Sequence, residues 1–150
     1  SIKLNSNEPE TWRNLGLAFE KNKSMKDALI ALDKATQLNK KFQDAWAIKG
    51  QVYYFLNNYT EAIKAYDIAL ELNPKDSITW FNRGVSLYYS ERYSDSLVSY
   101  DKAIEINPNF VEAWVNKGDT LKILGNEQKS KEAFEKTCEI NPTLVGFCRK

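Results

Sequence analysis

The sequence predicts an all-α fold, an α-solenoid built from helix-turn-helix repeats. The first observation is a fixed period, because the four tryptophans lie 34 residues apart, at Trp12, Trp46, Trp80 and Trp114. The second is that a glycine follows each tryptophan by four residues, at Gly16, Gly50, Gly84 and Gly118. The third is that apolar residues within each period recur at helical spacing. A repeat of this length is typical of a solenoid rather than of one closed globule.

The first helix of each repeat is predicted from its tryptophan, its glycine and a bulky residue three positions after the glycine. These bulky residues are Phe19, Tyr53, Leu87 and Leu121. The three positions fall on one face of a helix. Glycine inside a helix costs about 1 kcal/mol relative to alanine, so its repetition predicts that another group approaches the backbone closely there.

A second amphipathic helix follows in each repeat, and its inner face alternates small and large residues. The large residues are Leu32, Tyr66, Tyr100 and Phe134, and small residues such as Ala28, Ala62, Ser96 and Ser130 precede them by four positions. We expect each large residue to rest over the glycine of the first helix. The tryptophan then fills the space between one helix pair and the next.

Turn and stop signals place the helix boundaries. Asn-Pro pairs at 73–74, 107–108 and 141–142 end the second helices, because proline disfavours the helical conformation of its predecessor and asparagine tolerates a left-handed turn. Thr60 and Ser94 are predicted N-caps of second helices. The predicted helices are about 10–22, 26–38, 44–56, 60–72, 78–90, 94–106, 112–124 and 128–140.

Composition excludes several classes of function. The 21 Lys and Arg nearly balance the 20 Asp and Glu, without a long basic run, so a nucleic-acid partner is not expected. No apolar stretch is long enough to span a bilayer and the start of the chain has no signal-peptide features, so we expect a cytoplasmic protein without membrane contact. Histidine is absent and the motifs of phosphate loops and catalytic nucleophiles are missing, so we expect neither an enzyme nor a cofactor or metal site.

The two cysteines, Cys138 and Cys148, do not have the spacing of a zinc site. We expect them to be reduced and to pack as small apolar residues. A disulfide between them is the alternative.

The combined pattern resembles the tetratricopeptide repeat, whose 34-residue signature runs from Trp through Leu-Gly and Tyr to Ala, Phe and Pro. Four such units are present, at 9–42, 43–76, 77–110 and 111–144. The signature leucine is present only as Leu15 and is replaced by Lys49, Arg83 and Lys117, whose stems can pack while their charges reach water. The resemblance implies a right-handed superhelix in which first helices line a concave groove.

The ends of the sequence continue the same register. Residues 1–8 align with the end of a second helix, and residues 145–150 align with the start of a further first helix, with Cys148 at the tryptophan position. Solenoids need a polar terminal helix to cover their last apolar face. Self-association through uncapped ends is therefore expected.

The resemblance also implies which residues face the groove. The central repeats offer apolar and aromatic groups there, while the outer repeats offer charges such as Asp119, Lys122 and Glu20. The predicted site residues are Phe81, Val85, Tyr88 and Tyr89 in the third repeat and Gln51, Tyr54 and Phe55 in the second. The alternative is that these rings pack against a neighbouring helix.

Asparagines two residues after the tryptophan, Asn14, Asn82 and Asn116, complete the predicted site. In O-linked N-acetylglucosamine transferases, asparagines at this position grip an extended peptide, and an amide can both donate to and accept from a peptide bond. The alternative is that asparagine is simply common in the repeat.

The favoured hypothesis is a protein-interaction scaffold that binds an extended or helical peptide of a protein partner in its groove. One alternative is a regulatory or substrate-presenting segment of a larger enzyme, such as an O-linked N-acetylglucosamine transferase-like protein. Another is a purely structural role in which the ends drive self-association.

Overall fold

The structure is a computed structural model that describes residues 7–143. This range contains eight α-helices and no strand, which confirms the all-α fold class. The helices are α1 (Pro9–Lys21), α2 (Met25–Leu38), α3 (Gln43–Phe55), α4 (Tyr59–Leu72), α5 (Ser77–Tyr89), α6 (Tyr93–Ile106), α7 (Val111–Ile123) and α8 (Glu127–Ile140). Each helix begins one residue before its predicted start.

The terminal predictions fall mostly outside the described residues. Of the segment 1–8, only residues 7 and 8 are described, and Glu8 is the extended N-cap of α1. The further helix predicted at 145–150 lies outside the described range.

The chain divides into two compact units, Ser1–Pro74 and Lys75–Lys150. In the first unit, α1 packs on α2 and α3 packs on α4, and α2 also contacts α3. In the second unit, α5 packs on α6 and α7 packs on α8, and α6 also contacts α7. Each unit thus contains two helical hairpins. The second helix of the first hairpin packs against the first helix of the second hairpin.

The helix glycines are the points of closest packing inside the hairpins, as the sequence predicted. A Cβ atom added to each glycine would lie 2.5–2.7 Å from the nearest atom of a second-helix side chain, which is closer than real Cβ contacts. The pairs are Gly16 with Leu32, Gly50 with Tyr66, Gly84 with Tyr100 and Gly118 with Phe134. Burial, and then the neighbouring Tyr54, raise the pKa of the Tyr66 phenol above its ordinary value, so this ring is a neutral core group.

The hairpins of the first unit are joined by an ion pair and a tryptophan. Lys49 Nζ lies 2.6 Å from Asp33 Oδ1 of α2 and 4.9 Å from the centre of the Trp46 ring. The indole Nε1 of Trp46 donates a hydrogen bond of 3.0 Å to the carbonyl oxygen of Lys40 in the turn between α2 and α3. Attraction to the carboxylate and the ring face therefore holds the ammonium group between the hairpins.

The second unit repeats this arrangement. Lys117 Nζ lies 2.6 Å from Asp101 Oδ1 and 5.1 Å from the Trp114 ring centre, and Trp114 Nε1 donates to the Pro108 carbonyl oxygen at 2.9 Å. We call each set of aspartate, tryptophan and lysine a junction clasp.

The clasps correct the expectation that the charges replacing the signature leucine only reach water. The side chain of Lys49 is 14% exposed, and its charge is paired. Arg83 differs again, because its Nη1 donates to Ser99 Oγ at 2.7 Å within its own hairpin and its guanidinium lies 5.8 Å from the Trp80 ring centre. The prediction did not include the carboxylate or hydroxyl group that pairs with each of these charges, because the family signature has an uncharged leucine at this position.

The predicted N-caps Thr60 and Ser94 are wrong. The cap of α4 is Asn58, whose side chain accepts from Glu61 N, and the cap of α6 is Arg92. The reason is the preceding turn, where Asn57 and Glu91 adopt left-handed φ values of 58° and 60°, so that each N-cap lies two residues before the predicted one. Thr60 and Ser94 therefore lie inside the first turn.

The asparagines that end the second helices also act differently from the prediction. Asn39 and Asn107 have φ values of −139° and −128°, which are not left-handed. Instead their Oδ1 atoms accept hydrogen bonds from the backbone N–H groups of Lys41 (3.0 Å) and Asn109 (3.2 Å). Asparagine stops the helix here by forming a side-chain turn.

The expectation of reduced cysteines is wrong for Cys138, which is disulfide-bonded on α8. The prediction rested on the usual redox state of helical cytosolic proteins rather than on the position of either thiol. The second cysteine of the sequence, Cys148, lies outside the described residues.

Replacing Gly84 by alanine tests the close packing inside the hairpins. The new Cβ would lie 2.6 Å from Cε1 of the buried Tyr100, so we expect a loss of about 1–3 kcal/mol in the free energy of unfolding, although alanine is the better helix former. Chemical denaturation measures the change. The control is Ser94→Ala at an exposed position in α6, which should stay within about 0.5 kcal/mol. A stabilised Gly84→Ala variant would contradict the packing.

Charge reversal tests the junction clasp of the second unit. We expect Asp101→Lys and Lys117→Asp each to destabilise the chain, and the double reversal to recover about 0.5–1 kcal/mol, because the ion pair is re-formed. Urea unfolding of the four proteins measures this coupling. The exposed pair Lys102–Glu105 within α6 is the matched control and should couple more weakly. A double variant no more stable than the sum of the single changes would show that the pair is incidental.

Candidate partner-binding surface

In the first unit, four predicted site residues lie on the first helices α1 and α3. Asn14 is exposed, Gln51 and Tyr54 are half-buried, and Phe55 is 49% exposed. The Tyr54 ring centre lies 5.6 Å from that of Phe55 and 5.9 Å from that of Tyr59. We call Asn14, Gln51, Tyr54 and Phe55 the first-unit patch.

A side-chain hydrogen bond connects α1 and α3 at the first-unit patch. Gln51 Nε2 on α3 donates a 3.0 Å hydrogen bond to Glu20 Oε1 on α1. This bond orients the amide and uses one of its donors, and it leaves the amide oxygen as an acceptor.

In the second unit, the six remaining predicted residues lie on α5 and α7. Tyr89 is 54% exposed, and the other five are half-buried. We call Asn82, Val85, Tyr88, Tyr89 and Asn116 the second-unit patch. Phe81, the sixth residue, is treated separately because its surroundings differ.

Phe81 packs into the core of its unit. Its ring centre lies 4.9 Å from that of Phe110 and 6.0 Å from that of Tyr100, and it also contacts the core cluster that contains Ala103 and Ala113. For Phe81, the alternative that the ring packs against neighbouring helices is therefore correct, and its ring is a core group.

Tyr88 and Tyr89 form the aromatic part of the second-unit patch. Tyr88 meets Tyr89 nearly edge-on at 5.6 Å and Tyr93 of α6 at 5.4 Å between ring centres. Such edge-on pairs contribute about 0.5–1.5 kcal/mol beyond burial and fix the ring orientation. Because Tyr88 contacts a ring on each side, the orientation of its own ring is fixed.

A carboxylate adjoins these rings. Burial, followed by the charges of Asp119, Tyr93 and Tyr89, raises the pKa of the Tyr88 phenol above its ordinary value. Burial also raises the pKa of Asp119 on α7, while Lys122 opposes that change. Partial burial of this carboxylate, on a residue that is exposed overall, therefore disfavours its charged form.

Tyr93, which packs against Tyr88 at this surface, was not among the residues predicted from the sequence. Its signal was present, because Tyr59 and Tyr93 lie 34 residues apart and pack on Tyr54 and Tyr88 in the same way. Asp119 was placed on the groove, but as part of a charged end rather than beside the aromatic rings.

Neither a metal-binding cluster nor a membrane-spanning helix occurs among the described residues. Within residues 7–143, no group of three or more histidine, cysteine, aspartate or glutamate side chains is placed to hold a metal ion. None of the helices in that range is long and apolar enough to cross a membrane.

Comparison with known sequences identifies repeat units in this chain. A family model described as tetratricopeptide repeat matches residues 44–76 and 77–110, and a second model with the same description matches residues 99–132. No curated protein matches the sequence significantly.

Solved structures share the fold. A crystal structure of MamA is 23% identical with a TM-score of 0.91, and the match covers 97% of this chain and 85% of that one. The structure of MamA 41-end from Desulfovibrio magneticus RS-1 is 20% identical with a TM-score of 0.86, and covers 91% and 77% of the two chains. At these identities the likeness shows the fold, an all-α solenoid, and nothing finer.

The partly dehydrated Asp119 gives a testable titration. Its pKa, measured by NMR of the side-chain carboxyl, should lie above the ordinary 3.8 because burial disfavours the charged form. Lys122→Met should raise that pKa further, since the opposing positive charge is removed. Lys102→Met in α6 is the control and should leave it unchanged. An Asp119 pKa at or below 3.8 in the Lys122→Met chain would show that burial does not disfavour the charged carboxylate there.

Proposed function

The chain belongs to the tetratricopeptide-repeat family and is a protein-interaction scaffold, and from this premise we propose that its first helices bind an extended or helical peptide of a partner protein. The second-unit patch carries this proposal. The first-unit patch contributes residues of the same chemistry.

The single observation behind the proposal is a second apolar face on α5. Gly84 and Leu87 are buried against α6 and the core, whereas Tyr89 on the same helix remains 54% exposed with Tyr88 half-buried beside it. Exposed aromatic residues that the fold does not need are typical of binding surfaces, and tyrosine is enriched among residues that dominate binding energy.

Amide side chains supply the polar part of the proposed recognition. Asn82 on α5 and Asn116 on α7 occupy equivalent positions in neighbouring repeats and are only half-buried. Each amide can donate to a peptide carbonyl and accept from a peptide N–H. An apolar side chain of the peptide would then rest on Tyr88 and Tyr89.

The remaining expectations belong to the same proposal. The scaffold acts without catalysis, cofactor or nucleic acid, and works in the cytoplasm. Fractionation of cells that make the intact protein tests the location, and recovery in a membrane or secreted fraction would contradict it.

A peptide selection tests the proposed surface directly. A displayed library of random 12-residue peptides is selected on the intact chain, and the best peptide is titrated against Tyr88→Ala and Tyr89→Ala by fluorescence anisotropy. We expect each substitution to weaken binding about tenfold or more, because truncation of a central aromatic residue removes about 1.4 kcal/mol or more.

Two control variants make this result interpretable. Val98→Ser removes an exposed apolar residue from the second helix α6 and should leave affinity unchanged. Phe81→Ser should lower the melting temperature, because its ring is packed into the core. Equal affinity for wild type and both tyrosine variants, with folding intact, would refute the proposed surface.

A further inference from the structure

Neighbouring first helices meet through side chains at one fixed register. In the first unit, Gln51 of α3 donates to the Glu20 carboxylate of α1 at 3.0 Å. Two repeats further along the sequence, the equivalent positions are Asp119 of α7 and Tyr88 of α5. The helices α5 and α7 are in contact, as α1 and α3 are, and burial and then the charge of Asp119 raise the pKa of the Tyr88 phenol. Asp119 therefore faces Tyr88 on the preceding first helix, on the inner side of the unit rather than on a terminal face.

The carboxylate at this register is bonded in the first unit and open in the second. Glu20 accepts from the Gln51 amide. Asp119 is exposed, and within residues 7–143 its carboxylate has neither a hydrogen bond nor a salt bridge. Lys122, one turn further along α7, acts on this carboxylate only as an opposing charge. An exposed cation without a direct contact is displaced at little cost, so Asp119 can accept a donor from outside the chain.

An aromatic ring beside Asp119 adds a second attraction for a cation. The faces of aromatic rings carry partial negative charge and bind ammonium and guanidinium groups. Within residues 7–143, no lysine or arginine lies over the Tyr88 ring. In the junction clasps the same combination is filled, because a carboxylate and a ring there hold one lysine. The second-unit patch thus has both acceptors of a clasp but lacks the cation.

We propose that the peptide bound by the second-unit patch carries an arginine whose guanidinium pairs with Asp119 beside the Tyr88 ring. This inference rests on the proposed function and names the chemistry of the partner. Arginine is favoured over lysine because its planar fork can bond both carboxylate oxygens while its face lies against an aromatic ring. An acidic residue at the same point of the peptide would be repelled by Asp119.

The same pairing distinguishes the two patches. In the first unit, the Glu20 carboxylate already accepts from Gln51, so an arginine there competes with a donor of the chain itself. In the second unit, Asp119 has no such donor among the described residues. An arginine should therefore direct its part of the peptide to the second unit.

A neutral copy of the arginine tests this pairing. The best peptide from the 12-residue library selected on the intact chain is synthesised with its enriched arginine or with citrulline, which has nearly the same shape and no charge. The affinities of both peptides for wild type and Asp119→Asn are measured by fluorescence anisotropy. We expect citrulline to weaken binding to wild type about tenfold, and to change binding to Asp119→Asn less than about twofold, because the pairing carboxylate is absent.

Two further variants of α7 serve as controls. Glu112→Gln removes another exposed carboxylate from the same helix and should preserve the preference for arginine over citrulline. Lys122→Met should strengthen binding of the arginine peptide, because a positive charge that competes for Asp119 is removed.

The outcomes separate this inference from the proposed function. Selected peptides that depend on Tyr88 and Tyr89 but lack an enriched arginine, or bind equally well with citrulline, overturn the arginine pairing and leave the first-helix surface in place. An equal effect of citrulline in wild type and Asp119→Asn also overturns the pairing, since the arginine then binds elsewhere. Failure of the library to give any binding peptide overturns both proposals.

Discussion

The missing side chain at the four helix glycines is the constraint on which each hairpin depends. A leucine, tyrosine or phenylalanine of the second helix occupies the space that a Cβ atom would need. This fixes the rotation of the first helix about its axis, because only one face can meet the second helix so closely. The opposite face must then remain outside the hairpin. Tyr88 and Tyr89 are available for the proposed peptide binding because Gly84 and Leu87 already supply the packing within the hairpin.

The junction clasps add a second level of order within each unit. Apolar packing alone would let neighbouring helices slide along each other. The Lys49 ammonium group pairs with Asp33 at 2.6 Å and also lies over the Trp46 ring, and these two contacts together fix one register between α2 and α3. The tryptophan makes two contacts at this second level, since its ring lies against the lysine and its indole N–H donates to the turn before its own helix. The constant spacing of tryptophan and glycine in the sequence places these junction contacts and the hairpin packing on the same first helix.

Helix number and type could be predicted because the 34-residue period and the large residues over glycine are local patterns. The one-residue errors at the starts of α2, α4, α6 and α8 arose in the turns before them, where Lys23, Asn57 and Glu91 adopt left-handed φ values that favour glycine, and glycine stands at this position as Gly125. Site prediction was weaker for a physical reason. Helical spacing places a ring on a face but does not show whether a loop residue such as Phe110 covers it, which is why Phe81 looked like a surface residue. Similarly, the dehydration of Asp119 depends on its neighbours in space rather than in sequence.

The central claim is that partners meet the face of the first helices that the glycine contacts leave free. Backbone amide shift mapping tests it most directly, with a library-selected peptide titrated into isotopically labelled protein. We expect that in the second unit the shifted amides cluster on α5 and α7, around Asn82, Tyr88, Tyr89 and Asn116. Shifts concentrated on the second helix α6, with α5 and α7 unaffected, would contradict it.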